Sequence, residues 1–180
     1  MLESSIQALI QSTLLAGVAA RLPTLEVIVK QNNQPRQVAV PSTPTIFFSY
    51  QSSKAWGWQQ KKDTYNQTAS TFNTKKSQVI HSRYTVAALA PRSSANPYAL
   101  TSADLLRVAK DVLQDEDSIV QYVAQGCNIF RIQDLPSVWF QDSSDQNALW
   151  SSFDIIFTHL DSLTTSVGVI TDFNGSINRV

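Results

Sequence analysis

The sequence predicts an α+β domain, in which a mainly antiparallel β-sheet is flanked by helices on one face and carries a long β-hairpin arm. Apolar residues recur at helical spacing near the N-terminus and again after Thr101, whereas short β-branched segments fill most of the rest. A long polar segment, Gln59 to Lys76, separates two extended candidates. A chain of 180 residues is the right size for a single domain spanning residues 1–180, with the hairpin excursion at about 54–83.

Three helices are expected. The first runs from Leu2 to Ala20 and ends before Pro23; an amphipathic helix explains this segment better than a signal peptide, because no basic residues precede it. The second begins at the capping box Thr101-Ser-Ala-Asp104, which precedes apolar residues at helical spacing. Asp117 is expected to cap a third, short helix that stops at Gly126.

The extended segments are rich in β-branched and aromatic residues, and some alternate in polarity. In the second of them, Ile46, Phe48 and Tyr50 should share one side of a strand and Phe47 the other. A polar connection from Asp134 to Gln146 is expected before the last pair of strands. The predicted strands are Leu25–Lys30, Thr45–Ser52, Ser77–Leu89, Cys127–Gln133, Ala148–Leu160 and Val167–Phe173.

Aromatic residues near the predicted arm exceed the evident needs of one modest sheet. Trp56 and Trp58 flank Gly57, and a pocket, a carbohydrate platform, a core strand or a subunit contact could each use them. Because aromatic side chains are enriched in interface cores, a contact surface is favoured, with the two rings anchoring the base of the arm.

Charge is balanced overall but divided along the chain. Fourteen basic and fourteen acidic residues cancel, so nothing indicates a nucleic-acid or anionic-membrane partner, and no stretch has the length of a membrane span. Six of seven charges from Lys54 to Arg83 are basic, whereas ten acids and three bases lie between Thr101 and Asp161. Oppositely charged regions can attract further copies head to tail, although a solvated surface without a partner explains the same pattern.

No catalytic, cofactor-binding or metal-binding residue is predicted, and we expect a protein that is not an enzyme. His81 and His159 lack a G-x-S-x-G elbow, and single glycines offer no phosphate loop. Lone Cys127 fits a small buried residue in a reducing compartment. A hard-cation site at Asp111 and residues 115–117 is conceivable, but acids at a helix junction more often complement the helix dipole.

The order of segments resembles the phage neck terminator family, the tail-terminator-like proteins of tailed bacteriophages, over about 170 residues. The matching segments are QNNQPR, PTIFFSYQSSKAWGW, SRYTVAALA, SADLLRVAKDVLQDEDSIVQYVAQGCNIFRI and WSSFDIIFTHLDSLTTSVGVITDFNGSI. The last of these is similar to the family's final strand, polar turn and closing strand. The chain departs from the family in the longer, more polar Gln59–Lys76 segment and in SSDQNALWSS, where members carry more arginine and glutamate.

The resemblance implies a virion protein at the neck, assembled in the host cytoplasm. It would form a ring, typically a homohexamer, that ends the tail tube and presents a docking surface to the head. The implied partners are further copies of the chain, a tail-tube protein and a head-side connector or head-completion protein, with a sheath protein as a further candidate. DNA would traverse the lumen without specific binding, and no cofactor or membrane is involved.

Two groups of residues are the candidate contacts of such a ring. The basic hairpin of one subunit would pack on the acidic helical region of the next subunit or on an axial partner. The basic hairpin contributes Lys54, Trp56, Trp58, Lys61, Lys62, Lys75, Lys76 and Arg83. The acidic helical region contributes Asp104, Asp111, Asp115, Glu116 and Asp117. Two alternatives remain: a head-completion or connector adaptor, and a small enzyme or ligand-binding domain with a pocket lined by Trp56, Trp58 and Trp139.

Overall fold

The computed structural model describes residues 3–32, 42–91, 100–141 and 147–168, with the backbone alone for residues 138–141 and 147–150. Three helices and six strands occur in these ranges. The helices are α1 (Glu3–Arg21), α2 (Ser102–Leu113) and α3 (Glu116–Ala124). The strands are β1 (Ile28–Gln31), β2 (Thr45–Asn66), β3 (Thr71–Leu89), β4 (Cys127–Asp134), β5 (Val138–Gln141) and β6 (Asn147–Gly168).

One mainly antiparallel sheet organises the fold, as predicted. Its strand order is β1-β2-β3-β6-β4, and β5 pairs with the first residues of β6. Only β1 and β2 pair in parallel; every other described pairing is antiparallel.

The helices cover one face of the sheet, and the core lies between that face and the helices. Even-numbered residues of β3 and odd-numbered residues of β6 point into this core because successive side chains of a strand alternate between faces. Tyr84 and Phe157 are fully buried there, and α1 contributes Ile10. The prediction for β2 is confirmed, since Ile46 and Phe48 are buried and Phe47 lies on the other side. Phe153, Ile155, Phe157 and His159 of β6 share the core face.

The helix boundaries follow their caps. Thr101 caps α2 in a capping box with Asp104, as predicted, and its apolar face buries Leu105, Ala109, Val112 and Leu113. The prediction that Asp117 caps α3 is wrong: Asp115 is the N-cap, and its side chain accepts a hydrogen bond from the backbone N–H of Glu116. Gly126 follows α3 with φ of +78°, a left-handed conformation that favours glycine.

The arm differs most from expectation. Instead of a polar excursion from Gln59 to Lys76, β2 and β3 continue as paired strands to a turn at residues 67–70, where Asn66 Oδ1 accepts hydrogen bonds from two backbone amides. The predicted turn between Leu160 and Val167 is absent, because β6 continues alongside β3 to Gly168. The arm therefore has three strands. Residues 169–173 of the predicted last strand lie outside the described residues.

Two smaller corrections concern β1 and β5. β1 begins three residues later than the predicted Leu25 and pairs with Thr45–Phe48 of β2. Within the expected polar connection Asp134–Gln146, the apolar residues 138–140 belong to a strand that pairs with Asn147–Trp150. These three residues are apolar within a polar segment, and pairing with β6 places them in a strand.

Candidate subunit and partner interface

The three-stranded arm consists of residues 54–66 of β2, 71–81 of β3 and 158–168 of β6. Its side chains form rows across the strands, because directly paired residues point to the same face. Tyr65, Phe72 and Val167 form one row near the tip. Tyr65 and Phe72 have ring centroids 5.1 Å apart, and both remain 49% exposed.

The arm lysines are divided between the two faces. Lys61 pairs directly with Lys76 on one face of the arm, the same face of the sheet on which the helices pack. Lys62 pairs with Lys75 on the opposite face. Lys61 Nζ lies 3.1 Å from Asp63, and Thr74 donates a 2.6 Å hydrogen bond to the same carboxylate. The hydrogen bond from Thr74, followed by that from Lys61, lowers the pKa of Asp63.

The base of the arm carries three aromatic rings on the face opposite the helices. Trp56 stacks on His81 with centroids 5.2 Å apart and planes at 8°, and His81 meets Phe130 at 4.5 Å. Val79 and Leu160 pair beside Trp56 on the same face and are also exposed. We call these five side chains the aromatic patch. Within it, Trp56 and Phe130 are each 58% exposed.

Trp58 differs from its neighbour. It lies at an irregularity of the β2–β3 pairing next to Gly57, whose φ is +72°, and its side chain is 95% exposed. Both tryptophans were expected to anchor the arm, but within the subunit only Trp56 packs on other side chains. Trp58 contacts almost nothing in its own chain, which leaves it available to another molecule.

The proposed pocket of three tryptophans does not form. Trp56 pairs with Val79, which in turn pairs with Leu160 of β6. The backbone of Trp139 pairs with Leu149 of the same strand. Eleven residues of β6 separate these positions, or about 36 Å at the usual rise of a strand. The distance rules out a shared small-molecule site lined by Trp56, Trp58 and Trp139.

Arg83, a predicted interface residue, already has an ion-pair partner in its own chain. Its guanidinium pairs with Asp154, whose side chain is buried, and Thr85 donates a 2.6 Å hydrogen bond to the other carboxylate oxygen. The pair joins β3 to β6 on the face opposite the helices. It stabilises the subunit, and the Arg83 side chain stays 49% exposed.

The acidic helical residues are partly engaged as well. Arg21 lies 3.3 Å from Asp115 and 3.9 Å from Asp111. Asp104 accepts hydrogen bonds from the side chain and backbone of Thr101, which lower its pKa. Glu116 and Asp117 occupy the first turn of α3, are exposed, and have no ion pair within the described ranges. As expected for this junction, acids there complement the helix dipole.

Cys127 and His159 face each other across β4 and β6. Cys127 is buried, as predicted, and burial raises the pKa of its thiol. Burial likewise lowers the pKa of His159. In the ranges that the structure covers, no three metal-ligating side chains come together, and no helix is long and apolar enough to cross a membrane.

Comparison with known proteins decides the family. Residues 5–169 match the sequence model described as E217 gateway protein gp29. The chain belongs to the E217 gateway protein gp29 family. Among solved structures, the fold matches the sheath/tube terminator of PVC, an extracellular contractile injection system, in its extended state, with a TM-score of 0.56 and 10% identity. The match covers all of this chain and 64% of that one. No curated protein matches the sequence.

These findings confirm the resemblance to phage tail terminators and the α+β fold of this gp29 family member. Sequence reasoning identified Trp56, Trp58 and the lysines but missed Phe130, Leu160, Tyr65 and Phe72. Those four became visible only through strand registers, because residues distant in sequence share a row. Tyr65 belongs to a residue type that is enriched in strands, but it stands alone among polar residues and forms no alternating pattern.

Proposed function

We propose that this chain is a structural virion protein that forms a ring at the neck of a tailed bacteriophage. The ring ends the tail tube and gives the head a docking surface. Six copies are the expected number, and DNA passes through the lumen without specific binding. The protein reaches the virion from the host cytoplasm and acts without catalysis.

Family membership over residues 5–169, together with the terminator fold, carries this proposal. The arm supports it independently. It carries exposed aromatic and aliphatic side chains on both faces, with Tyr65, Phe72 and Val167 on one and Trp56, Val79 and Leu160 on the other. Such a surface suits a protein that works by binding copies of itself and axial partners, here a tail-tube protein, a sheath protein and a head-side connector.

The terminator fold favours this role over a head-completion adaptor. An enzyme or ligand-binding domain is disfavoured because the tryptophans of its supposed pocket lie far apart. The described cavity beside α2 is shallow and lined by both Arg107 and Asp134, and it holds no cluster of nucleophile and base.

We propose one electrostatic contact between subunits within the ring. Lys61 and Lys76 lie on the same face of the sheet as the helices, so a neighbour placed beside the arm presents its helices on that side. Within the acidic helical region, Glu116 and Asp117 are exposed and have no ion pair among the described residues, and they are the favoured partners of these lysines. Lys62 and Lys75 point away from this contact.

Assembly of the purified chain tests the ring. Size-exclusion chromatography with light scattering should give a particle of about six subunit masses, and negative-stain images should show rings with a central hole. Added to polymerising tail-tube protein from the same phage, the chain should shorten the tubes and be found at one end. A chain that stays monomeric and leaves tube length unchanged would argue against the terminator role.

A further inference from the structure

Both long edges of the arm are open in the described part of the chain. β1 covers β2 only from Thr45 to Phe48, and β4 covers β6 only from Phe153 to His159. Beyond these points, residues 49–66 of β2 and 160–168 of β6 present unpaired backbone N–H and C=O groups on their outer sides. Unpaired edges of this length are templates for pairing with another strand.

The β6 edge lacks the devices that usually block such pairing. Its nine residues, LDSLTTSVG, contain no proline or lysine and a single charge, Asp161. All nine are exposed. Because an isolated edge is normally protected by lysine, proline or a bulge, this one is suited to receive a strand.

Charge indicates which strand is received. Two copies of the β2 edge would bring Lys61 and Lys62 of one chain against the same lysines of the other, which is unfavourable. Pairing β6 with β2 of a second copy instead places a nearly neutral strand beside the basic one, with Asp161 as the opposite charge. A heterologous contact of this kind repeats around a ring.

Strand direction agrees with rotational symmetry. β2 and β6 both run antiparallel to β3, so they point the same way. A copy generated by rotation about an axis along the arm therefore offers its β2 parallel to β6. A closed barrel requires a fixed stagger between arms, so Tyr65 of the next copy lies in this row or an even number of residues along the same face. The neighbouring arm would then cover Tyr65, Phe72 and Val167, whose side chains are now 49–58% exposed.

We propose that, in the ring assigned above, the β6 edge of each arm pairs in parallel with the β2 edge of the next arm, closing the arms into one intersubunit β-barrel. This inference rests on the proposed ring. Six arms of three strands would make about 18 strands, a number at which closed sheets leave an aqueous channel. The helices lie outside, so the polar rows with Thr64, Asn73 and Ser166 line the channel together with Lys62 and Lys75.

Disulfide trapping tests the pairing. Thr64 and Ser166 share one face and lie level with each other on either side of Asn73. Within one chain they are two strand spacings apart, about 9.6 Å, which is too far for a disulfide. In adjacent arms paired as proposed, the stagger of the barrel brings Ser166 beside Thr64 or beside a same-face residue of β2 near it, namely Gln60, Lys62 or Asn66. We combine S166C in turn with Q60C, K62C, T64C or N66C, oxidise each variant after assembly and run it without reductant. One of these four should give a ladder of covalent multimers up to the full ring.

Three matched variants provide the controls. T64C alone and S166C alone should each yield at least tenfold less cross-linked product. T64C/T165C places the second thiol on the opposite face and should behave like the single variants. Light scattering under reducing conditions reports separately whether each variant forms the ring.

The outcomes distinguish this inference from the proposed function. Rings with a ladder in one of the four same-face pairs, and not in the single variants or in T64C/T165C, support the barrel. Rings with a ladder in S166C alone, or in T64C alone, would show symmetric pairing of like edges and overturn it. Rings without any ladder would overturn the barrel and leave the ring intact, whereas a reduced protein that stays monomeric would overturn both.

Discussion

Arg83 holds the buried carboxylate of Asp154 across two adjacent strands, with its Nε 2.8 Å from Oδ2. Asp154 is 2% exposed, so this hydrogen bond and the one from Thr85 satisfy a charge that lies almost entirely out of water. The two residues lie 71 positions apart, and their contact locks the register of β3 against β6.

Removing the guanidinium should therefore destabilise the subunit. We expect R83A to lower the free energy of unfolding by about 2 kcal/mol. The buried carboxylate of Asp154 would lose its principal donor and keep only the hydrogen bond from Thr85. Urea denaturation of the isolated protein measures this change. The double variant R83A/D154N should recover part of this loss. If R83A changes the free energy of unfolding by less than about 0.5 kcal/mol, the range of ordinary surface substitutions, the pair is dispensable.

Gly17 of α1 allows α2 to approach closely. A Cβ atom at this position would collide with Cγ1 of Val112 and lie 2.9 Å from its Cγ2. We expect G17A to cost about 1–3 kcal/mol through overpacking, despite the higher helix propensity of alanine. Adding V112A should restore part of the stability in a double-mutant cycle measured by thermal or urea unfolding. Additive effects of the two substitutions would contradict the contact.

Trp58 should matter for assembly and not for folding. Because its side chain is 95% exposed, W58A is expected to change the free energy of unfolding by less than about 0.5 kcal/mol. The same variant should lower the fraction of protein in rings at a given concentration, since large aromatic residues dominate interface energies. Analytical ultracentrifugation measures that fraction. L15A, at a 44% exposed position on α1, serves as a control, and equal assembly of the two variants would remove Trp58 from the interface.

Adjacent lysines on opposite faces allow a matched test of the electrostatic contact. K76E should weaken ring assembly, because it places a negative charge toward Glu116 and Asp117 of the neighbour, and added salt should reduce the difference from the wild type. K75E makes the same charge change on the opposite face and should affect assembly less. Chromatography at low and high ionic strength measures the effect, and equal losses in the two variants would contradict the assignment of faces.

Burial of His159 makes stability depend on pH. Its pKa in the folded state lies below its unfolded value of about 6.5, so the unfolded chain binds the proton more tightly. Stability should be fully present above pH 6.5 and decrease as pH falls below it toward the lower folded pKa. H159N should flatten the dependence of the urea midpoint between pH 7 and 5, with H81N as the control. An unchanged slope in H159N would exclude this residue as the cause.

Much of the fold was predictable from local patterns. The capping box at Thr101, the amphipathic α2 and the alternating Ile46–Phe48 segment were recognised because caps and periodicity are properties of neighbouring residues. The Gln59–Lys76 segment was not recognised as strand, since its composition is that of a polar loop. Its structure comes from pairing with β3 and through β3 with β6, which no local window records.

The candidate interface divides in the same way. The presence of exposed tryptophans and lysines near Gly57 was determined by sequence, because residue type sets charge and apolar area wherever the chain goes. Their partners were decided by tertiary structure. Strand register placed Arg83 on Asp154, separated Lys61 from Lys62 onto opposite faces, and brought Phe130 to His81. Register is set by burial of one sheet face across distant segments, so only the folded chain could assign these contacts.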